Sequence, residues 1–312
     1  MIYGAKALFG IPFWNTLMTK GSIANLHTAT SMIATLLLLP FSKWLVRLSE
    51  LTIPDGKSEE PAVAVQQAKA AVETMARNAQ KNYGACVPLL FDYSVETLHK
   101  VNRREAVVDK LEVSISNYLV QLTNKSLSVT ENRQVNELIN YVVEFERIGD
   151  YAINVAERAG EMHDKEIVFS PSAKRELLLV NEALCEILAT TYEAFEGGDV
   201  RAAERVEPLE ETIDAMIESL RERHVERLKR GVCAIESGVI FLEILTNLER
   251  ISDHCSNIAA RLVGSEADYD HFDAHALRRN MHDGFVPDFN EMLAAYREKY
   301  YEPLCSVPQS GV

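Results

Sequence analysis

Four acidic pairs carry the chemistry this sequence offers. Glu105 and Asp109, Glu146 and Asp150, Glu210 and Asp214, and Glu249 and Asp253 are each spaced i, i+4. On a helix that spacing puts both carboxylates on one face. Asn154 and Asn257 extend the second and fourth pairs by one more turn. Like charges one turn apart repel by roughly 0.2–0.5 kcal/mol, and facing pairs add to that, so a cation must offset them. Oxygen ligands favour magnesium, calcium, manganese or an iron-type ion. A metal held this way can in turn hold an anion, such as phosphate, that bare carboxylates would reject. The competing reading is a structural charge network, in which Arg147, Arg158, Arg250 and Arg261 pair with carboxylates on adjacent helices.

The pairs occur in a repeat. Residues 146–158 read Glu-Arg-Ile-Gly-Asp-Tyr-Ala-Ile-Asn-Val-Ala-Glu-Arg, and residues 249–261 read Glu-Arg-Ile-Ser-Asp-His-Cys-Ser-Asn-Ile-Ala-Ala-Arg. Seven of the 13 positions are identical, at an offset of 103. The upstream pairs, Glu105/Asp109 and Glu210/Asp214, are offset by 105. Each repeat therefore places one pair on a middle helix and one on a third helix. Two three-helix bundles side by side account for this pattern.

The elements that must position these residues are all helical. Apolar residues recur at helical spacing over 62–100 (with a break near Pro88), 103–124, 131–162, 171–197, 199–230, 233–263 and 272–300. Thr130-Glu131 and Ser170-Pro171 suit helix starts. Gly197-Gly198-Asp199 and Arg230-Gly231 suit turns between helices. On the third helices Leu138, Val142, Phe145 and Ala152, and Phe241, Leu245, Leu248 and Ala259, form the faces that should be buried. With 14 Gly and 10 Pro in 312 residues, an all-β fold is disfavoured. The fold class is all-α: an N-terminal membrane segment at 1–54, a linker at 55–61, the double bundle at 62–264 and a helical tail at 265–312.

The net charge of −14 argues against a nucleic-acid partner. Five cysteines with no Cys-x-x-Cys argue against a disulfide scaffold or a thiolate zinc site and fit a reducing compartment. No nucleotide-binding glycine loop, Gly-x-Ser-x-Gly or His-Glu-x-x-His occurs. Glu96 and His99 form a lone Glu-x-x-His, where a di-iron centre needs two. No nucleophile stands out, and an enzyme is not expected. A carboxylate-bridged metal oxidase or hydrolase is the third reading. His271, His275 and His282 in the tail suit an exposed helix better than a metal site.

Charge divides the chain. Residues 1–54 carry Lys6, Lys20, Lys43 and Arg47 against Glu50 alone. No charged side chain occurs over 21–42, a length able to cross a bilayer core, and Lys43, Trp44 and Arg47 follow as an interfacial, cytoplasmic flank. A signal peptide does not fit the order of these features; a buried core helix is the alternative. The expected location is thus the inner membrane, with the acidic part in the cytoplasm.

The doubled Glu-Arg-Ile-x-Asp-x-x-x-Asn, each copy preceded by a helix with Glu-x-x-x-Asp, resembles the PhoU domain. That resemblance implies a pair of three-helix bundles whose carboxylate motifs hold metal clusters. Glu146, Asp150, Asn154, Glu249, Asp253 and Asn257 match the third-helix motif, with Arg147 and Arg250 in support, and Glu105, Asp109, Glu210 and Asp214 match the middle-helix motif. Ala-Asn-Leu-His-Thr-Ala-Thr-Ser at 24–31, including Asn25 and His27, is similar to the end of the membrane domain of sodium/phosphate cotransporters. Members of that family often continue into a PhoU-like region. The family's Gln-Ser-Ser motifs do not occur, so the resemblance implies an N-terminally truncated member, a gene fragment or a subunit that relies on other polypeptides, incompetent for transport alone, whose PhoU-like part regulates phosphate uptake. The partners it implies are phosphate and sodium for an intact transporter, membrane lipid, the remaining membrane segments or another transport subunit, and a homodimer as a further option. The alternative is a PhoU-type adaptor of a separate phosphate transport or signalling system.

Overall fold

The computed structural model describes residues 60–266, 286 and 288–308. Among these the chain is all-α. Helix α1 spans Pro61–Leu89, α2 Val95–Thr123, α3 Val129–Asp164 and α4 Pro171–Gly197. A short α5 at Val200–Glu204 precedes α6 at Val206–Lys229, and α7 spans Ile235–Glu266. Helix α8, Phe289–Tyr296, runs through a π-helical turn at Arg297–Tyr301 into α9, Glu302–Cys305.

Local chemistry starts and stops these helices. Ser94 Oγ accepts from the Thr97 N–H at 3.3 Å, which begins α2. At α3 Ser128 Oγ accepts from the Glu131 N–H at 3.2 Å, while Glu131 Oε2 accepts from the Ser128 N–H at 2.8 Å. Each exchange satisfies amide groups that have no partner within the helix. Ser170 caps α4 with Pro171 in the first turn, as expected. Gly198 (φ 62°) and Gly231 (φ 68°) close the two turns in left-handed backbone, which glycine adopts without a Cβ clash.

Several boundaries correct the sequence reading. The break at Pro88 occurs, but residues 95–100 belong to α2 and not to α1, because the Ser94 cap restarts the helix. The start of α3 is capped by Ser128 and not by Thr130. The stretch 199–230 is divided at Arg205, one turn ahead of Pro208, which occupies the first turn of α6 where its missing N–H costs nothing. The expected membrane span, with Asn25 and His27, and tail residues His271, His275 and His282 lie outside the described residues. Among the described residues no helix is long and apolar enough to cross a membrane.

Helices α1, α2 and α3 pack as one bundle, and α4, α6 and α7 as a second. The expected apolar faces are buried: Val142 and Ala152 in α3 and Leu245 and Leu248 in α7 are fully shielded. Each such leucine or valine contributes about 1.5–3 kcal/mol on burial. The bundles join chiefly through α3 against α7, and also through α1 against α4. Tyr141 and Phe145 of α3 meet Phe195 of α4 edge-on, at centroid distances of 5.0 and 5.1 Å. The C-terminal turns pack on α6. There Lys299 reaches Glu186 at 2.5 Å, and Arg223 donates to the carbonyls of Cys305 (3.1 Å) and Val307 (3.3 Å).

Candidate metal centres in the two bundles

Helices α2 and α3 bring Glu105, Asp109 and Asp150 together, with one carboxylate oxygen from each lying within 4.8 Å of the other two. Helices α6 and α7 do the same with Glu210, Asp214 and Asp253. These are equivalent triads of the repeat. In each, the middle helix supplies two carboxylates and the third helix supplies one. Both triads contain a buried oxygen without a hydrogen-bond partner, Glu105 Oε2 in the first and Asp214 Oδ1 in the second. An unsatisfied buried carboxylate oxygen is costly, and a bound cation would satisfy it.

Electrostatics tell the same story from the proton side. Burial first, then Asp109, Asp150 and Glu146, push the Glu105 carboxyl up to about 7. Glu146 is likewise pushed up to about 7 by burial and by Asp150, against the opposing Arg147. Asp214 rises to about 7 through burial and the charges of Asp253, Glu249 and Glu207, with Arg221 opposing. Such groups must hold a proton or a cation near neutral pH.

The fourth predicted acid of each repeat has a different fate. Glu249 is held by both arms of Arg221, with Nη1 at 3.0 Å from Oε1 and Nη2 at 2.5 Å from Oε2. Glu146 has no such clamp; its cationic neighbour is Arg147, at 3.5 Å. Arg147 also reaches Asp150 at 3.4 Å, and Arg250 reaches Asp253 at 3.6 Å. Both arginines are half-exposed, so these contacts are screened surface pairs worth little.

Asn154 and Asn257 do not extend the acid clusters. Each is engaged at the α3–α7 contact: Asn154 Nδ2 donates to Asn247 Oδ1 at 3.2 Å, and Asn257 Nδ2 donates to Glu144 Oε2 at 3.1 Å. These contacts are equivalents in the repeat, since Glu144 stands at the position of Asn247. The reason is geometric. Residues i and i+4 drift around a helix by about 40°, because 3.6 residues make one turn, and by the third residue of the ladder that face meets the other bundle. His254 Nδ1 also lies 2.6 Å from Glu144 Oε2 and its ring stacks on Tyr151. Sequence reasoning missed Glu144, Asn247, His254 and the clamp residue Arg221. The offset of 103 pairs 144 with 247, but their types differ, so no motif marks them. Glu96 and His99 are exposed, and Glu96 pairs with Lys100 at 2.7 Å.

The profile of the PhoU domain matches residues 72–159 and 177–262. Among curated relatives, the chain is 25% identical over 176 residues to the phosphate-specific transport system accessory protein PhoU homolog 1 of Thermotoga maritima, covering 54% of this chain and 75% of that protein. It is 23% identical over 201 residues to the PhoU homolog of Xylella fastidiosa, covering 64% and 78%. The crystal structure of PhoU from Pseudomonas aeruginosa superposes with a TM-score of 0.60 at 24% identity, over 65% of this chain and 96% of that one. That of the phosphate transport system regulatory protein PhoU from Streptococcus pneumoniae gives 0.61 at 17% identity, over 69% and 100%. At these identities the solved structures speak for the fold.

These findings correct two expectations. The inner-membrane location is overturned: the relatives above are accessory or regulatory proteins of phosphate transport, and the apolar run that prompted the expectation falls outside both matched segments. The sodium/phosphate cotransporter reading is replaced by its alternative, a PhoU-type protein. Sodium and membrane lipid as partners rested on the membrane reading, and the relatives' descriptions do not show them.

Proposed function

This chain belongs to the PhoU domain family, and from that premise we propose that it is a non-enzymatic accessory regulator of a phosphate transport system, in which two carboxylate clusters each hold a hard cation. The observation that carries the cation reading is that each triad holds one buried, partnerless carboxylate oxygen, Glu105 Oε2 in the first and Asp214 Oδ1 in the second. The donor set fits. Three carboxylates with oxygens within 4.8 Å of one another offer the hard oxygen ligands that magnesium, calcium, manganese or iron-type ions take.

Glu105, Asp109 and Asp150 would hold the first ion, with Glu146 beside them. Glu210, Asp214 and Asp253 would hold the second. The cation would supply positive charge at an acidic surface, so that an anion such as phosphate, or an acidic face of a transport subunit, could approach it. The residues' own contribution is orientation. Arg221 fixes Glu249, and Arg147 and Arg250 rest on the outer edges of the clusters. Binding would displace protons held by Glu105, Glu146 and Asp214, so cation affinity should climb as pH rises past about 7.

The role is tested by measuring phosphate uptake in cells lacking the gene, with the wild-type chain or the Asp150→Asn, Asp253→Asn double variant restored. The expected result is altered uptake on loss, repaired by the wild type and not by the folded double variant. Uptake indifferent to the gene would contradict the regulatory role. Full repair by the double variant would contradict a role for the clusters in it.

A further inference from the structure

A cavity of about 420 Å³ opens at one end of the second bundle. There the connector between α3 and α4, the last turns of α6 and the first turns of α7 converge. His224 of α6 lines it, ten residues beyond Asp214, or about 15 Å along the helix at 1.5 Å per residue. No acid-cluster residue lines this cavity.

Its distinguishing feature is a buried cation with an idle arm. Arg227 lines the cavity and is only 5% exposed. Its Nη1 donates to Glu176 Oε2 at 2.8 Å, while its Nη2 has no hydrogen-bond partner. Glu176 is fully buried and also accepts from Arg223 Nη1 at 3.2 Å. Arg223 is satisfied further by the carbonyls of Cys305 and Val307. Two buried guanidinium groups thus share one buried carboxylate, an excess of one positive charge that is offset only in part by the Phe241 ring, over which Arg227 lies at 5.5 Å. His224, 2% exposed, lines the same space with an unpartnered Nε2, and burial and Arg227 hold its pKa down, in the neutral form.

The surroundings favour an anion. The first turns of two long helices, α4 and α7, contribute Ala173 and Ser237 to the lining, and helix N-termini carry partial positive charge. Two carboxylates, Glu166 and Glu236, stand at the exposed rim, and Glu236 is paired with Lys165 at 2.8 Å. The walls are otherwise largely apolar and ringed: Phe169 meets Phe241 edge-on at 5.5 Å, and His224 stacks on Phe241 at 4.9 Å. The volume lies within the roughly 300–1,000 Å³ typical of small-molecule sites, more room than a bare oxyanion needs.

We propose that this cavity binds a small organic anion, an oxyanion head carried on an apolar, ring-sized body, with the Arg227 guanidinium as the anchor of the head and the apolar wall at Phe169 receiving the body. The proposal is independent of the cation reading, because the two use no residue in common.

The test is a fluorescence titration of the full chain with 1-anilinonaphthalene-8-sulfonate in EDTA, so that loss of metal cannot affect the outcome. The neutral N-phenyl-1-naphthylamine serves as the uncharged control. Wild type should show a saturable site for the sulfonate, bound at least tenfold more tightly than the neutral analogue, as a charge-assisted contact requires. Arg227→Gln should weaken the sulfonate at least tenfold, the size of one lost charge-assisted bond. Ala234→Trp, at an exposed lining position, should abolish binding by filling the mouth without touching the core; it decides the matter should Arg227→Gln fail to fold. Competition with phenyl phosphate and with benzoate then identifies the head: whichever displaces the probe at lower concentration names it. Equal binding of the neutral analogue, or wild-type binding by Ala234→Trp, would overturn the proposal. So would displacement by inorganic phosphate as effective as by phenyl phosphate, since it would remove the need for an apolar body.

Discussion

The two acid clusters descend from one pattern and differ in what surrounds them. In the first, Asp109 is exposed, and Glu146 stands beside the triad without a cross-helix cation. In the second, Glu210 is 6% exposed, and Glu249 is taken by Arg221. The residue equivalent to Arg221, at the offset of 105, is Ser116, whose hydroxyl donates to Glu112 at 3.2 Å. The second cluster has a further buried acid, Glu207, which accepts from Ser256 Oγ. One repeat thus leaves its fourth carboxylate available for a cation, and the other neutralises it internally. Burial makes the second site drier; the arginine makes it less negative. Symmetry of sequence motif therefore does not imply equal affinity. The first cluster, with four carboxylates in play and more water, should bind its ion faster and exchange it more readily.

The sharpest way to break this comparison is Arg221→Ala. Both partners of the pair are less than a third exposed, so removing the arginine leaves Glu249 partly buried and unpaired. Metal-free stability should fall by about 1–3 kcal/mol in denaturant titrations. Cation affinity at the second cluster should rise by about tenfold, as expected when one more carboxylate joins the set. A fall in affinity would show that Arg221 positions Glu249 as a ligand, and the contrast between the clusters would be lost.

A smaller effect is expected from pH. Folding raises the carboxyls of Glu105, Glu146 and Asp214 from their ordinary values near 4 to about 7. Between those values the folded chain holds protons that the unfolded chain has lost, so stability falls as pH rises through the interval. Denaturant midpoints of the metal-free chain should decline from about pH 4.5 to 7 by this contribution, and Asp214→Asn should flatten the part due to the second cluster. With excess manganese the decline should reverse, because the ion replaces the protons. A metal-free profile unaltered by Asp214→Asn would show that the second cluster does not carry its share.

The least change should follow Ser116→Arg, which copies the clamp residue into the first repeat. Ser116 is only partly buried, so an arginine there can reach solvent, and a partly screened charge should lower manganese affinity at the first cluster only about two- to fivefold. Isothermal titration calorimetry on an Asp253→Asn background isolates that cluster. An unchanged affinity would mean that position 116 cannot play the part that 221 plays.

The helical architecture was legible because its signals are local. The expected helix over 171–197 coincides with α4, whose Ser-Pro start and glycine end both stand in the sequence. The start of α2 was obscured because residues 95–102 continue a helical apolar pattern, and only the Ser94 cap separates it from α1. At the candidate sites the eight carboxylates could be named from spacing and repetition. Which three of each four converge could not, since that depends on how α2 faces α3 and α6 faces α7. Nor could the fate of Asn154 and Asn257, which the α3–α7 contact settles. Arg221 was invisible for a plainer reason: its counterpart is a serine, so repetition hides it. Arg227 and His224 likewise lack equivalents of their kind, with Leu122 and Leu119 at the offset of 105 upstream.

The central claim, that two carboxylate triads each hold a hard cation, is tested most directly by metal content. The full chain is loaded with manganese, desalted and measured by inductively coupled plasma mass spectrometry, alongside Asp150→Asn, Asp253→Asn and the double variant, each verified as folded by circular dichroism. The account predicts that each single variant loses about half of the bound metal and that the double variant falls to background. Metal content equal to wild type in the folded double variant would contradict it.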